Sequence, residues 1–276
     1  MPEMPEVETI CRSLRKHVEG KVIQDIEIRL SRLIKWPSPE DFRAILVGRK
    51  IESLERRAKY MLFHVTDDWT LVIHLRMTGR LFFRDNDCPS DAPAKITFHF
   101  ADGDSLEYSD TRTLGTLYLL RENELGRIYG LSSLGPEPLS PQFTVEYLVS
   151  GLAKRKGKIK TVLLDQSFIG GLGNIYVDES LARACIHPEC KAHTLTEPEI
   201  AKLHEAINAV IEKGIGGGGT TLRDYRDGEG NRGSFQEELC VYGRKGLPCP
   251  VCGTNIVRTE VAGRGTHYCP QCQHQK

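Results

Sequence analysis

The sequence predicts an α+β chain, with a strand-rich first half opened by one helix and a mostly helical second half that ends in a metal-binding hairpin. Three observations carry this. Short alternating apolar runs fill the stretch from about 21 to 121, helical periodicity takes over beyond 143, and four cysteines in two Cys-x2-Cys pairs close the chain. With 276 residues there is room for two cores.

The chain opens MPEMPEVETI. From Pro5 to Gly20, Val7, Ile10, Leu14 and Val18 recur at helical spacing, acidic residues occupy the first turn and Gly20 is placed to stop the helix. Pro2 and Glu3 then form a short arm ahead of it. Removal of the initiator methionine, favoured before a small second residue, leaves Pro2 with a free secondary amine. Such an amine titrates near about 7.7–8.0, against about 10.4 for lysine, so a useful fraction is unprotonated at neutral pH. It can attack an aldehyde or aminal carbon to give a Schiff base, with Glu3 shuttling the proton. Many chains also begin Met-Pro for no chemical reason.

The runs IEIRL, YMLFHV, TLVIHL, RLFF, KITFHF, SLEYS and LGTLYLL, separated by turn residues, imply a sandwich or open barrel. LGPEPLSPQF, at 134–143, reads as a linker. After it, Ile200, Leu203, Ile207, Val210 and Ile211 mark an amphipathic helix. Within this half GGLGNIYVDESL, at 170–181, places a glycine turn between two helical stretches, and Asn174 just past the turn either caps the second helix or meets a phosphate. GIGGGGTTLRDY, at 214–225, reads as a mobile loop. The resulting division is 1–133, a linker at 134–143, a helical domain at 144–238 that includes this loop, and the hairpin at 239–276.

The 37 basic and 37 acidic residues cancel, so a polyanionic partner must be met by a local patch. KRKGKIK, at 154–160, holds five basic residues and no acid, and from Cys240 onward Arg244, Lys245, Arg258, Arg264 and Lys276 face one acid, Glu260. A basic run is otherwise an ordinary solvated face. No apolar run is long enough to span a membrane and the start is not a signal peptide, so a cytoplasmic location is expected.

Nine cysteines without a secretory signal argue for thiols or metal. Cys249, Cys252, Cys269 and Cys272 form two close pairs separated by sixteen residues, with strand-like alternation on either side of an AGRG turn. That spacing implies one tetrahedral four-thiolate zinc ion, with no open position and therefore structural. The hairpin displays Arg264 between two glycines, either as a solvated turn residue or as a rigid probe for phosphate. Cys11, Cys88, Cys185, Cys190 and Cys240 read as small core or surface residues.

PEMPEVET, ERRAKYMLF, HLRMTG, DTR, LGPEPLS, GLGNIYVDESL, VYGRKG and AGRGTHYCPQCQ, in this order along nearly the whole chain, resemble the motifs of the bacterial formamidopyrimidine-DNA glycosylase family. The resemblance implies a β-sandwich, a helix-two-turn-helix domain and a zinc-finger hairpin in a monomer. It also implies a bifunctional glycosylase and AP lyase that excises 8-oxoguanine and formamidopyrimidines from duplex DNA, in the bacterial cytoplasm at the nucleoid. Pro2 is then the nucleophile at C1′, Glu3 the acid/base partner that opens the sugar, Lys59 the lysine of β-elimination, and Arg264 the arginine of δ-elimination and phosphate contact. Met77, Arg112 and Leu114 map to the residues that fill the gap left by the everted nucleotide. Lys156, Lys160 and Asn174 map to phosphate contacts, and the segment from Thr220 to Tyr225 to the part that folds over the lesion. Two departures stand out. The family's wedge phenylalanine is replaced by Leu114, and a histidine pair before the strand at 96 is missing, with Pro93 and Lys95 in that stretch. An endonuclease VIII-type enzyme for oxidised pyrimidines and a non-catalytic zinc-ribbon DNA-binding protein are the competing readings. Met77, Arg112 and GLGNIYVDE favour the purine branch over the first, and intact Pro2, Glu3, Lys59 and Arg264 oppose the second.

Overall fold

The computed structural model describes residues 1–86 and 94–275, so Cys88 and Pro93, singled out above, lie outside the described residues. The chain forms two compact units, Met1–Ser132 with Gly217–Ser234, and Ser133–Gly216 with Phe235–Lys276. The glycine-rich segment, expected within the helical domain, therefore folds with the first unit.

The first unit is a sandwich of two sheets. Its elements are α1 (Met4–Val18), β1 (Ile23–Ile28), β2 (Ile34–Trp36), α2 (Pro39–Leu46), β3 (Ile51–Arg57), β4 (Tyr60–Val65), β5 (Trp69–His74), β6 (Gly79–Arg84), β7 (Ile96–Phe100), β8 (Ser105–Asp110), β9 (Thr116–Arg121) and the single-turn α3 (Tyr129–Ser132). One sheet runs β2-β9-β5-β4-β3 and the other β1-β7-β8-β6. All pairings are antiparallel except β2 with β9. The apolar faces of both sheets and of α1 meet in one core that includes Val7, Ile10, Leu14, Phe42, Phe63, Phe98 and Tyr108. Burial of such faces is the main force holding the unit together.

The seven predicted strands are β1 and β4 to β9. The sequence reading omits β2, only three residues long, β3, whose IESLERR is too charged to stand out, and α2, whose eight residues are short but carry a Ser38 cap on the Asp41 N–H and a proline at the first turn.

The second unit contains α4 (Val145–Ala153), α5 (Ile159–Leu163), α6 (Asn174–Arg183), α7 (Glu197–Gly216) and the hairpin β10 (Val257–Val261) and β11 (Arg264–Tyr268). The Pro-rich stretch at 134–143 is no free tether. The Gly135 N–H donates to the Gln166 carbonyl, the Gly170 N–H donates to the Pro136 carbonyl, and Glu137 is buried. The run beginning GIG also starts earlier than a loop would, because α7 continues through Gly216. Gly214 is required there, since a Cβ would stand 2.5 Å from the Tyr176 ring.

Candidate functional site

In the first unit, Glu3 precedes α1 as its N-cap. Its N–H donates to Glu6 Oε2 at 2.8 Å, while Glu6 Oε1 accepts from the Thr220 N–H at 2.7 Å. One buried carboxylate thus holds the arm carrying Pro2 and, on its other oxygen, the glycine-rich segment. Tyr225 closes the arrangement by donating its hydroxyl to the Gly218 carbonyl at 3.1 Å. Pro2 is half-buried and Glu3 buried.

Helix α1 lies along β3. Arg15 donates to the Leu54 carbonyl, Cys11 Sγ approaches the Glu55 carbonyl and Arg56 pairs with Glu8. Contacts that step this way carry the N-terminal end of α1 toward the β3–β4 turn, which holds Ala58 and Lys59 between the paired Arg57 and Tyr60. Ala58 takes φ +51, the left-handed conformation that a two-residue hairpin demands and that a Cβ disfavours. Lys59 is buried beside His74, opposite Tyr60 on β5. Burial, helped by the Arg76 and Lys59 charges, pushes His74 down to about 3. His74 is therefore neutral, and its Nδ1 accepts from the Arg76 N–H at 3.0 Å.

Met77 and Leu114 are exposed apolar side chains, 41% and 51% accessible, on two neighbouring turns of this unit, and Arg112 is exposed beside Leu114. Single exposed apolar side chains are common, and this unit also exposes Trp36 and Tyr129, so what marks Met77 and Leu114 is their place on two turns that approach each other.

In the second unit, the four cysteine sulfurs lie within 4.8 Å of one another. Cys249 to Cys272 is 4.0 Å and Cys252 to Cys269 is 3.5 Å. A tetrahedron with metal–sulfur bonds of about 2.3 Å has edges of about 3.8 Å, so the four thiolates fit one zinc ion. Zinc there cross-links the two ends of the hairpin segment and does no chemistry.

The β10–β11 turn is Ala262-Gly263, with φ +50 and +72, and it presents the exposed Arg264 as the first residue of β11. Behind Arg264, the Gly265 carbonyl accepts from Lys160 Nζ at 3.1 Å and from Asn174 Nδ2 at 2.9 Å. Asn174 is the first residue of α6 and Gly173 its cap, so its side chain holds the hairpin instead of capping the helix. Lys160 corrects the sequence reading. It is fully buried and paired with Asp178 Oδ1 at 2.6 Å, with neither side chain exposed to solvent. An ammonium so enclosed cannot reach a phosphate. Asp178 Oδ2 accepts from the His267 N–H at 2.8 Å, and neighbouring Glu179 accepts from the N–H groups of Cys240, Val241 and Tyr242 at 2.7–2.9 Å. Burial raises the Glu179 pKa, and those three N–H bonds oppose the rise.

The basic run is therefore partly internal. Arg155 stacks on Phe168 and Lys158 pairs with Glu189, whereas Lys156 stays exposed. His74, Asp178 and Glu179 are not legible as individuals in the sequence. Glu6 reads there only as an acid of the first helical turn, although an acid three residues after a helix cap is also a capping-box signal.

A sandwich with a short N-terminal arm, joined in one chain to a helical unit carrying a four-thiolate hairpin, is the architecture of the zinc-hairpin DNA glycosylases. Comparison with known proteins agrees. The formamidopyrimidine-DNA glycosylase N-terminal domain matches residues 1–117, the H2TH domain of the same enzymes 134–226, and the zinc finger found in FPG and IleRS 246–275. Formamidopyrimidine-DNA glycosylases of Desulforamulus reducens and Heliobacterium modesticaldum are 49% and 48% identical, each covering 99% or more of both chains. Lactococcus lactis Fpg in complex with abasic-site DNA is 39% identical with a TM-score of 0.93, covering 99% of this chain and all of that one. A variant of that enzyme bound to Fapy-dG DNA aligns equally well, at TM-score 0.93 and 39% identity over the same shares. The chain belongs to the formamidopyrimidine-DNA glycosylase family.

Proposed function

We infer that this chain is a base-excision repair enzyme that removes oxidised purines from duplex DNA and then cuts the strand, with Pro2 as its nucleophile. Full-length identity to glycosylases of this name supports the reaction class. The placement of Pro2 and Glu3 on an arm held by Glu6 supports the residue roles.

With Met1 removed, the Pro2 nitrogen attacks C1′ of the damaged nucleotide. The glycosidic bond breaks toward the base, and the ring oxygen takes a proton from Glu3 as the sugar opens to an iminium. Loss of a proton from C2′ expels the 3′ phosphate, and a second elimination expels the 5′ phosphate. Water then hydrolyses the iminium, releasing the sugar fragment as an aldehyde and regenerating the amine. Lys59 serves the first elimination, and Arg264, on its rigid turn, holds a phosphate and serves the second. Everting a nucleotide costs a few kcal/mol of stacking and pairing. Met77, Arg112 and Leu114 offset that loss by filling the vacated space. Lys156 and Asn174 hold the backbone, and the segment around Thr220–Tyr225 covers the lesion. A bacterial location at the nucleoid is the reading that goes with a duplex substrate and bacterial relatives.

Borohydride trapping tests the reading. A covalent adduct with an 8-oxoguanine·cytosine duplex, absent in Pro2→Gly, is expected. An adduct formed only with an oxidised pyrimidine would move the chain to the endonuclease VIII type, and no adduct on any lesion would leave a DNA-binding protein without catalysis.

A further inference from the structure

The two turns that carry Met77 and Leu114 are far apart in sequence, yet both are fastened to one buried carboxylate. Asp110, 2% exposed, ends β8. Its Oδ1 accepts from the Thr78 hydroxyl at 2.5 Å and from the Arg112 N–H at 3.2 Å. Its Oδ2 accepts from the Gly115 N–H at 2.8 Å and from the Tyr108 hydroxyl at 3.3 Å. Thr78 also accepts, on the same hydroxyl oxygen, from the Arg112 N–H at 3.0 Å. The residue after Met77 and the two residues flanking Thr113 and Leu114 thus share one hydrogen-bonded hub.

Two glycines make the approach possible. A Cβ on Gly115 would stand 1.7 Å from the Tyr108 hydroxyl, and one on Gly79 would stand 2.7 Å from it. Gly79 is also the strand partner of Asp110. On the outer side, Arg32 donates to the Thr113 hydroxyl, and Thr113 sits at φ +53, a conformation a β-branched residue adopts only when its surroundings impose it. An exposed apolar side chain gains nothing by standing in water, so an unfastened turn would fold Met77 or Leu114 back onto the protein surface.

We propose that Asp110, with Thr78 as its link, is a positioning residue that locks the Met77 turn and the Arg112–Leu114 turn into a single preformed wedge. This rests on the assignment of Met77, Arg112 and Leu114 to gap filling. The lock means that the two tips enter the duplex as a unit, with no ordering cost at the moment of binding.

Thr78→Val removes the link at nearly constant shape, and Thr78→Ser retains it. Two readouts apply: single-turnover excision of 8-oxoguanine from a duplex, and fluorescence of 2-aminopurine placed opposite the lesion, which brightens when a wedge unstacks it. Thr78→Val is expected to lose about tenfold in excision, the scale of one hydrogen bond to a charged group, and to lose the fluorescence rise. Thr78→Ser should recover both. In a Leu114→Ala background, Thr78→Val should add little, because two residues acting through one wedge are not additive. Asp110→Asn, which removes an acceptor, should match or exceed Thr78→Val, and circular dichroism decides whether it is folded enough to count. Full fluorescence in Thr78→Val, with Met77→Ala and Leu114→Ala dimming it, overturns the lock while leaving the wedge intact. Full fluorescence in Met77→Ala and Leu114→Ala overturns the wedge assignment itself, and the lock with it.

Discussion

Lys160→Met separates an internal strut from a DNA contact. The ammonium and the Asp178 carboxylate are both fully buried at 2.6 Å, and Lys160 also reaches the Gly265 carbonyl at 3.1 Å. Removing one partner of a buried ion pair costs about 3–5 kcal/mol, because the other charge stays enclosed and uncompensated. Asp178 keeps the His267 N–H at 2.8 Å, which places the loss near the lower end, about 3 kcal/mol. At a urea slope of about 2–3 kcal/mol/M this lowers the unfolding midpoint of the second unit by about 1–1.5 M. The assay pairs urea unfolding with DNA affinity measured against salt. A residue that neutralises one phosphate changes the slope of log affinity against log salt by about 0.9 on removal. Lys160→Met should therefore lower the midpoint and leave the salt slope unchanged, whereas Lys156→Met should shift the slope by about 0.9 with a stability change within about 0.5 kcal/mol. Lys160→Met/Asp178→Leu, with both charges gone, should recover much of the stability. An unchanged midpoint with a flatter salt dependence in Lys160→Met would refute the strut.

His74 makes the first unit acid-sensitive. With its pKa pushed from about 6.5 down to about 3 in the fold, protonation favours the unfolded chain, so stability is complete above about 6.5 and declines as pH falls toward 3. The decline is about 1.4 kcal/mol per pH unit, read from urea midpoints at pH 7, 6 and 5, and His74→Gln should flatten it; equal slopes in both proteins would contradict the assignment. Chelation of zinc, or Cys249→Ser, should abolish tight DNA binding by releasing the hairpin that presents Arg264, and retained binding in zinc-free protein would refute that role. Intact-mass measurement of purified protein should show the loss of one methionine; full excision by protein that keeps Met1 would eliminate Pro2 as nucleophile. Leu114→Phe should raise excision several-fold if stacking opposite the lesion limits this chain, and no gain would show that apolar filling suffices.

Much of the fold is legible along the chain because the signals are local. Strand runs such as YMLFHV and KITFHF need only two-residue periodicity to be seen. The zinc site needs only cysteine spacing, since two Cys-x2-Cys pairs have few other uses. The Pro2-Glu3 arm and the AGRG turn are likewise short, contiguous chemistry. The reading of KRKGKIK as one basic patch fails for the opposite reason. Charge type is visible in sequence, but whether Lys160 faces water or Asp178 depends on where α5 and α6 pack. Asp110 opens the DTR motif, yet its role as a hub is not legible for the same reason, as its partners come from Thr78, Tyr108, Arg112 and Gly115.

By itself, then, the sequence carried the order of sandwich, helices and thiolate hairpin, the four metal ligands, and the family they resemble. Tertiary structure alone decided which charges are struts and which are free. It also moved the glycine-rich segment from the helical domain into the sandwich unit and bound the Met77 and Leu114 turns to one carboxylate. The physical reason is that hydrophobic period and metal-ligand spacing act over a few residues. The partner of a buried charge is chosen only when distant segments exclude water together, and there each ionic group must find its counterpart or go unburied.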